Sequence, residues 1–145
     1  MKNIGSIFEY EDARNQDLMR AYKHLMSTTR NIKMSEIYRQ VVDMPSQRFW
    51  VSEERAAIVV SNMLKGRSID QMRPNKREMF HEICARVREL QKERPDETVY
   101  NLVFDVVGSP APKFYLTPKT AKVIISRIKA EWYEKKKRKY RHLFM

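Results

Sequence analysis

The sequence predicts an all-α protein assembled from an internally duplicated unit, and three observations carry that expectation. Only three of the 145 residues are glycine, while 42% are hydrophobic and 32% charged, a balance suited to a helix-rich packed chain and unlike that of a disordered one. Apolar residues recur at helical spacing over most of the length. Residues 37–63 align without a gap onto residues 102–128, sixty-five positions later. In that alignment Val41, Val42, Pro45, Phe49, Ala56 and Ser61 recur as Val106, Val107, Pro110, Phe114, Ala121 and Ser126. Arg48 meets Lys113, Trp50 meets Tyr115, and Ser52 meets Thr117. A repeated unit speaks first to architecture, because stacked copies share a core.

The first helix is expected from Glu11 or Asp12 to about Thr29, with Leu18, Ala21, Tyr22, Leu25 and Met26 inward. A short helix follows from Ser35 to Asp43, burying Ile37 and Val41, and Met44 and Pro45 end it. Ser46 to Val51 reads as extended, since Phe49, Trp50 and Val51 favour that backbone. Ser52 is placed to cap a helix that starts with Glu53 and Glu54 and stops at Lys65 and Gly66.

Residues 67–77 form a basic linker that includes Pro74. The second half repeats the order. A helix is expected over Glu78 to Lys92 with Met79, Ile83, Val87 and Leu90 on one stripe, then a helix capped by Asp96 and closed by Gly108. The loop Ser109 to Leu116 leads to Thr117 and Pro118, a hydroxyl followed by proline at the first helical position, and to a final helix reaching Tyr140 or beyond. Ala121, Ile124, Ile125, Ile128 and Trp132 form its inward stripe. Phe49 and Phe114 are expected to anchor their loops, and the two extended segments to pair with each other. The resulting division is a first unit over 1–66, the linker, and a second unit over 78–145, packed as one compact domain.

Helix, short helix, aromatic loop and helix, occurring twice, resembles a tandem array of tri-helical units of the helix-turn-helix class. The resemblance is one of architecture over most of residues 12–140, and it implies DNA binding.

Charge points the same way independently. The formal net charge is +11, and the segment from Pro118 onward carries +8 of it, ten Lys and Arg against Glu131 and Glu134. Beyond the inward stripe, the last helix sets Lys119, Lys122, Ser126, Lys129, Tyr133, Lys136, Lys137 and Tyr140 on one face. Lysines neutralise phosphates, hydroxyls donate hydrogen bonds, and rings pack on sugar or base. The expected interface therefore comprises Lys119, Thr120, Lys122, Ser126, Lys129 and Tyr133, with the tail Lys135, Lys136, Lys137, Arg138, Lys139 and Arg141 tracking neighbouring phosphates. Arg48 with Trp50, Lys113 with Tyr115, and the linker cations Arg73, Lys76 and Arg77 complete the candidate nucleic-acid contacts. Carboxylates Glu53 and Glu54 make the first copy the poorer match to phosphate and leave it for a structural role, a protein partner or self-association.

Other classes are less well served. His24, His81 and His142 are far apart, and no Cys/His spacing fits zinc. Gly5, Gly66 and Gly108 form no phosphate-cradling loop. Asp96, Glu97 and Asp105 with Lys113 could be imagined as a nuclease set, but Asp96 has a simpler task as a cap. Neither a catalytic activity nor a cofactor or metal is expected, and Cys84 reads as a small buried apolar residue. No apolar run is long enough to span a membrane, and the opening MKNIGSIFEYED lacks a secretory pattern, so a cytoplasmic or nucleoid-associated location is expected. The leading expectation is a non-catalytic double-stranded DNA-binding protein, a regulator or an accessory protein of a phage or mobile element. The alternatives are an RNA-binding protein and a protein-interaction adaptor with a basic solubilising tail.

Overall fold

A computed structural model describes residues 4–144, with side chains from Tyr10 to Leu143. It is all-helical, with no strand among the described residues: α1 (Ile4–Thr28), α2 (Met34–Val42), α3 (Glu53–Leu64), α4 (Pro74–Glu93), α5 (Val99–Val107) and α6 (Pro118–Phe144). No helix among the described residues is long and apolar enough to cross a membrane.

The helices group differently from the sequential halves expected. One unit holds residues 1–42 and 117–145, hence α1, α2 and α6; the other holds residues 43–116, hence α3, α4 and α5. The bounds of the helices recur at the spacing of the sequence alignment. α2 shifted by 65 residues coincides with α5, the starts of α3 and α6 correspond, and so do the ends of α1 and α4. α6 thus groups with α1 and α2, and α3 with α4 and α5, so in each unit one of the two helices in register, α3 or α6, packs with the helix pair from the other side of the alignment. Local patterns along the chain mark helices and say nothing of which helices pack together.

In the first unit α1, α2 and α6 pack on one another. Leu18, Ala21, Ile37, Val41, Ala121 and Ile125 are fully buried, and the rings of Tyr22 and Tyr38 stack 6.4 Å apart. α1 begins well before the expected Glu11. Met26, expected inward, lies exposed near its end. In the second unit α3, α4 and α5 enclose Phe49, Val60, Ile83, Val87, Leu102, Val103 and Val107. Cys84 is buried there, as the sequence reading has it.

Local chemistry fixes the helix ends. Ser52 Oγ accepts from the Arg55 amide at 3.2 Å, and Thr117 Oγ1 accepts from the Thr120 amide at 3.1 Å, so both aligned hydroxyls cap. Pro74 opens α4 at its first turn instead of lying in a linker. Thr98, not Asp96, caps α5, accepting from the Asn101 amide at 3.2 Å, because the chain turns at 95–97 before helix begins. Gly66, at φ 88°, ends α3 in the left-handed conformation. Replacing Ser52 or Thr117 by Ala is expected to cost about 1 kcal/mol each, read as a lower urea midpoint at unchanged slope.

The two extended segments meet in one antiparallel bridge. Ser46 and Ala111, equivalent positions of the alignment, exchange both backbone hydrogen bonds at 3.1 Å, and the Phe49 amide donates to Val107 O at 3.0 Å. Ser46 is buried; its hydroxyl donates to Arg48 O at 2.7 Å and lies 3.2 Å from Lys113 O.

Candidate nucleic-acid interface

α6 owes its helicity to a cap, an apolar stripe and good helix formers. Ala121, Ile124 and Ile125 are buried, Ile128 is half-buried, and every residue from Lys129 to Leu143 is exposed. The inward stripe is thus shorter than expected. Trp132, expected in the core, is 45% exposed, and Lys23 Nζ of α1 sits 4.4 Å from its ring centre. The core of the unit ends at Ile128, so an apolar side chain one turn later has only the edge of α1 to rest on.

The second half of α6 is consequently an arm, about 20 Å long at 1.5 Å per residue. Tyr133, Lys136, Lys137, Tyr140 and Arg141 line a shallow depression along it. Lys137 Nζ lies 4.9 Å from the centre of the Tyr133 ring. Among the described residues no ion pair engages Lys119, Lys122, Arg127, Lys135, Lys136, Lys137, Arg138, Lys139 or Arg141. All of these cations are exposed. Thr120 and Ser126 are exposed beside them, as is Val123, which the sequence reading passed over.

Lys129 differs from its neighbours: its ammonium is hydrogen-bonded to Tyr22 Oη and sits 4.5 Å from that ring. It fastens α6 to α1. The α1 side of the same unit adds cations the sequence did not single out. Arg14, Arg20 and Lys23 line a groove with Arg127, Trp132 and Lys135, and Glu11, Asp12 and Glu131 share its rim. On a mixed-charge helix no local signal separates such residues from an ordinary solvated face.

The remaining candidates belong to the other unit and are held by it. The Arg48 guanidinium pairs with Glu53 at 3.2 Å, donates to Phe49 O at 3.1 Å and Val51 O at 2.9 Å, and lies 5.2 Å from the Trp50 ring. Lys113 Nζ is 2.5 Å from Glu78 Oε1 and 5.6 Å from the Tyr115 ring. Tyr115 stacks on the buried Phe49 ring at 6.0 Å with φ of 58°. These groups stabilise the two aromatic loops, so their charge is already committed. Arg73, Lys76 and Arg77 flank the first turn of α4, where Arg77 donates to Asp70 O at 3.2 Å.

Burial pushes the Tyr115 phenol up to about 12, with Glu82 and Glu78 adding to the rise and Arg86 opposing it. A phenol whose folded pKa is raised favours the folded state below its unfolded value near 10 and loses that contribution as pH climbs from about 10 to 12. Stability is expected to fall across that window and to fall less in Tyr115→Phe, as followed by chemical denaturation at stepped pH.

No group of three or more His, Cys, Asp or Glu side chains is placed to hold a metal ion among the described residues. Comparison with known proteins finds no matching family model, no similar curated protein and no similar solved structure.

Proposed function

We propose that this chain binds double-stranded DNA without catalysis, through the exposed face of α6 and its basic arm. The observation that carries this reading is the run from Lys129 to Leu143: helical, exposed at every position, and holding six cations between Lys135 and Arg141 with no carboxylate among them. Like charges three and four residues apart repel along a helix. An anionic partner removes that repulsion, and a duplex presents phosphates on the length scale of the arm. Thr120, Ser126 and the phenols of Tyr133 and Tyr140 supply hydrogen-bond donors between the cations. A three-helix unit carrying its long third helix outward supports the same reading.

The test is fluorescence anisotropy of a labelled random duplex, titrated with intact protein at several salt concentrations, with single-stranded RNA as competitor. Six to eight phosphate contacts give a slope of about −5 to −7 in log affinity against log salt. Weak competition by RNA is expected. Strong competition would favour the RNA-binding alternative, whose appeal is the exposed rings of Trp132, Tyr133 and Tyr140. No binding at low salt would leave the adaptor reading.

A further inference from the structure

The unit formed by α3, α4 and α5 contains a pocket that the α6 reading does not use. It opens between the end of α3 and the middle of α4, has a volume of about 280 Å³, and is lined by Arg67, Ser68, His81 and Arg88 over a floor that includes Ile69 and Cys84. We propose that this pocket binds a phosphate group.

Three features of the lining argue for an anion. Arg88 lacks a counterion on its own helix: the residues three and four positions away are Cys84, Ala85, Gln91 and Lys92, none acidic. Its neighbour Arg86, by contrast, pairs with Glu82 at 3.0 Å. Arg67 shares the pocket and is held by α3, its Nη1 donating to Asn62 Oδ1 at 3.0 Å and its amide to Asn62 O at 3.0 Å, which leaves its other guanidinium N–H groups to donate. The left-handed Gly66 immediately before it turns the chain back over α3. Two guanidiniums in one small cavity reinforce each other's field, and an anion between them relieves the mutual repulsion.

The uncharged donors fit as well. Ser68 Oγ accepts from the Asp70 amide at 3.1 Å, which leaves its own proton to donate. The His81 ring adds an N–H from α4. Asp70 also lines the pocket and is the one carboxylate there. Guanidinium, hydroxyl and imidazole N–H around an apolar floor suit a tetrahedral oxyanion, and forked Arg contacts prefer phosphate. The phosphate can belong to a small phosphorylated molecule or to a nucleic-acid backbone. This inference stands apart from the α6 interface, since its residues belong to a different unit.

The experiment is NMR of the full chain, following the His81 ring and the Nε–Hε groups of Arg67 and Arg88 at constant ionic strength held with chloride. Millimolar inorganic phosphate is expected to shift all three signals saturably. The double variant Arg67→Gln/Arg88→Gln is expected to weaken the apparent affinity at least about tenfold, as the loss of charged hydrogen bonds implies. Arg55→Gln, an exposed cation of α3 outside the pocket, should leave it unchanged. A short duplex in phosphate-free buffer forms the second arm. If the duplex moves the signals and inorganic phosphate does not, the site takes a backbone phosphate; if only inorganic phosphate does, it takes a small ligand. Silence of the three signals to both probes, or a His81 shift in the double variant that saturates at the same concentration, overturns the proposal. Because both substitutions are at exposed positions, the backbone spectrum of the variant reports directly that it remains folded. Duplex binding that persists in the double variant bears only on α6, so failure here and failure of the α6 reading are told apart.

Discussion

Replacing Lys135, Lys136, Lys137, Arg138, Lys139 and Arg141 together by Gln is expected to reduce the salt slope of duplex binding by about 5, at roughly 0.9 for each phosphate contact removed. Between 50 and 200 mM salt a six-contact protein loses about a thousandfold in affinity. The variant should lose most of that sensitivity and bind weakly throughout. Glutamine is the right replacement because its helix propensity is close to those of Lys and Arg. The arm stays helical while its charge disappears. It also loses the repulsions between cations three and four residues apart, each about 0.2–0.5 kcal/mol, while giving up a favourable interaction with the C-terminal end of the helix dipole. Helix content of the free protein, read by circular dichroism, should therefore change little. In the unsubstituted protein the same repulsions are relieved on adding duplex, and helix content should rise. An unaltered slope in the Gln variant would place the duplex elsewhere, and the cations of the α1 groove around Arg14 and Lys23 would be the next to replace. Lys129→Gln should behave differently, because that ammonium is already engaged by Tyr22. Its effect belongs to the packing of α6 on α1.

What was legible in the sequence was whatever depends on neighbours along the chain. The Ser52 and Thr117 caps, the stop at Gly66, the short helices and the buried Phe49 and Phe114 all follow from local pattern and occur as expected. What depends on long-range partners was not legible. Trp132 fits the helical stripe by spacing, but the core it would join ends at Ile128. Arg48 and Lys113 sit beside aromatic residues as nucleic-acid contacts do, yet Glu53 and Glu78 take their charge, and only the fold brings Glu78 to Lys113. Arg86 shows the converse. Its spacing from Glu82 on α4 marks only a helix ion pair, but it also donates to Pro110 O at 2.8 Å and lies 5.0 Å from the Phe49 ring, joining α4 to both loops. The grouping of α6 with α1 and α2, and of α3 with α4 and α5, belongs to the same class. An alignment at a spacing of 65 residues says nothing of which helices pack together.

Phe49→Ala is expected to cost about 3–5 kcal/mol, the range for emptying a buried aromatic site. A typical domain has only about 5–15 kcal/mol in total, so this unit should be close to unfolding at room temperature. The size follows from what the ring touches. Phe49 is fully buried at the centre of the α3, α4 and α5 core, its ring stacked on Tyr115 and faced by the Arg86 guanidinium. Its amide donates to Val107 O, so collapse of the cavity would pull on the Ser46 to Ala111 bridge beside it. The surroundings are therefore poorly able to close the void, which places the cost toward the upper part of the range. Ile58→Ala removes apolar side-chain volume from the adjoining helix, but Ile58 is 58% exposed and should cost no more than about 0.5 kcal/mol. Urea unfolding of the two variants side by side separates burial from hydrophobicity as the cause. Arg86→Gln should recover little of the loss when combined with Phe49→Ala. The guanidinium contact with the ring is worth about 0.5–1 kcal/mol, and Arg86 keeps its bonds to Glu82 and Pro110 after the ring has gone. If Phe49→Ala proved as mild as Ile58→Ala, the aromatic loop would not be anchored by this ring. The pairing of the two extended segments would then have to hold the loop unaided, with a single bridge to do it.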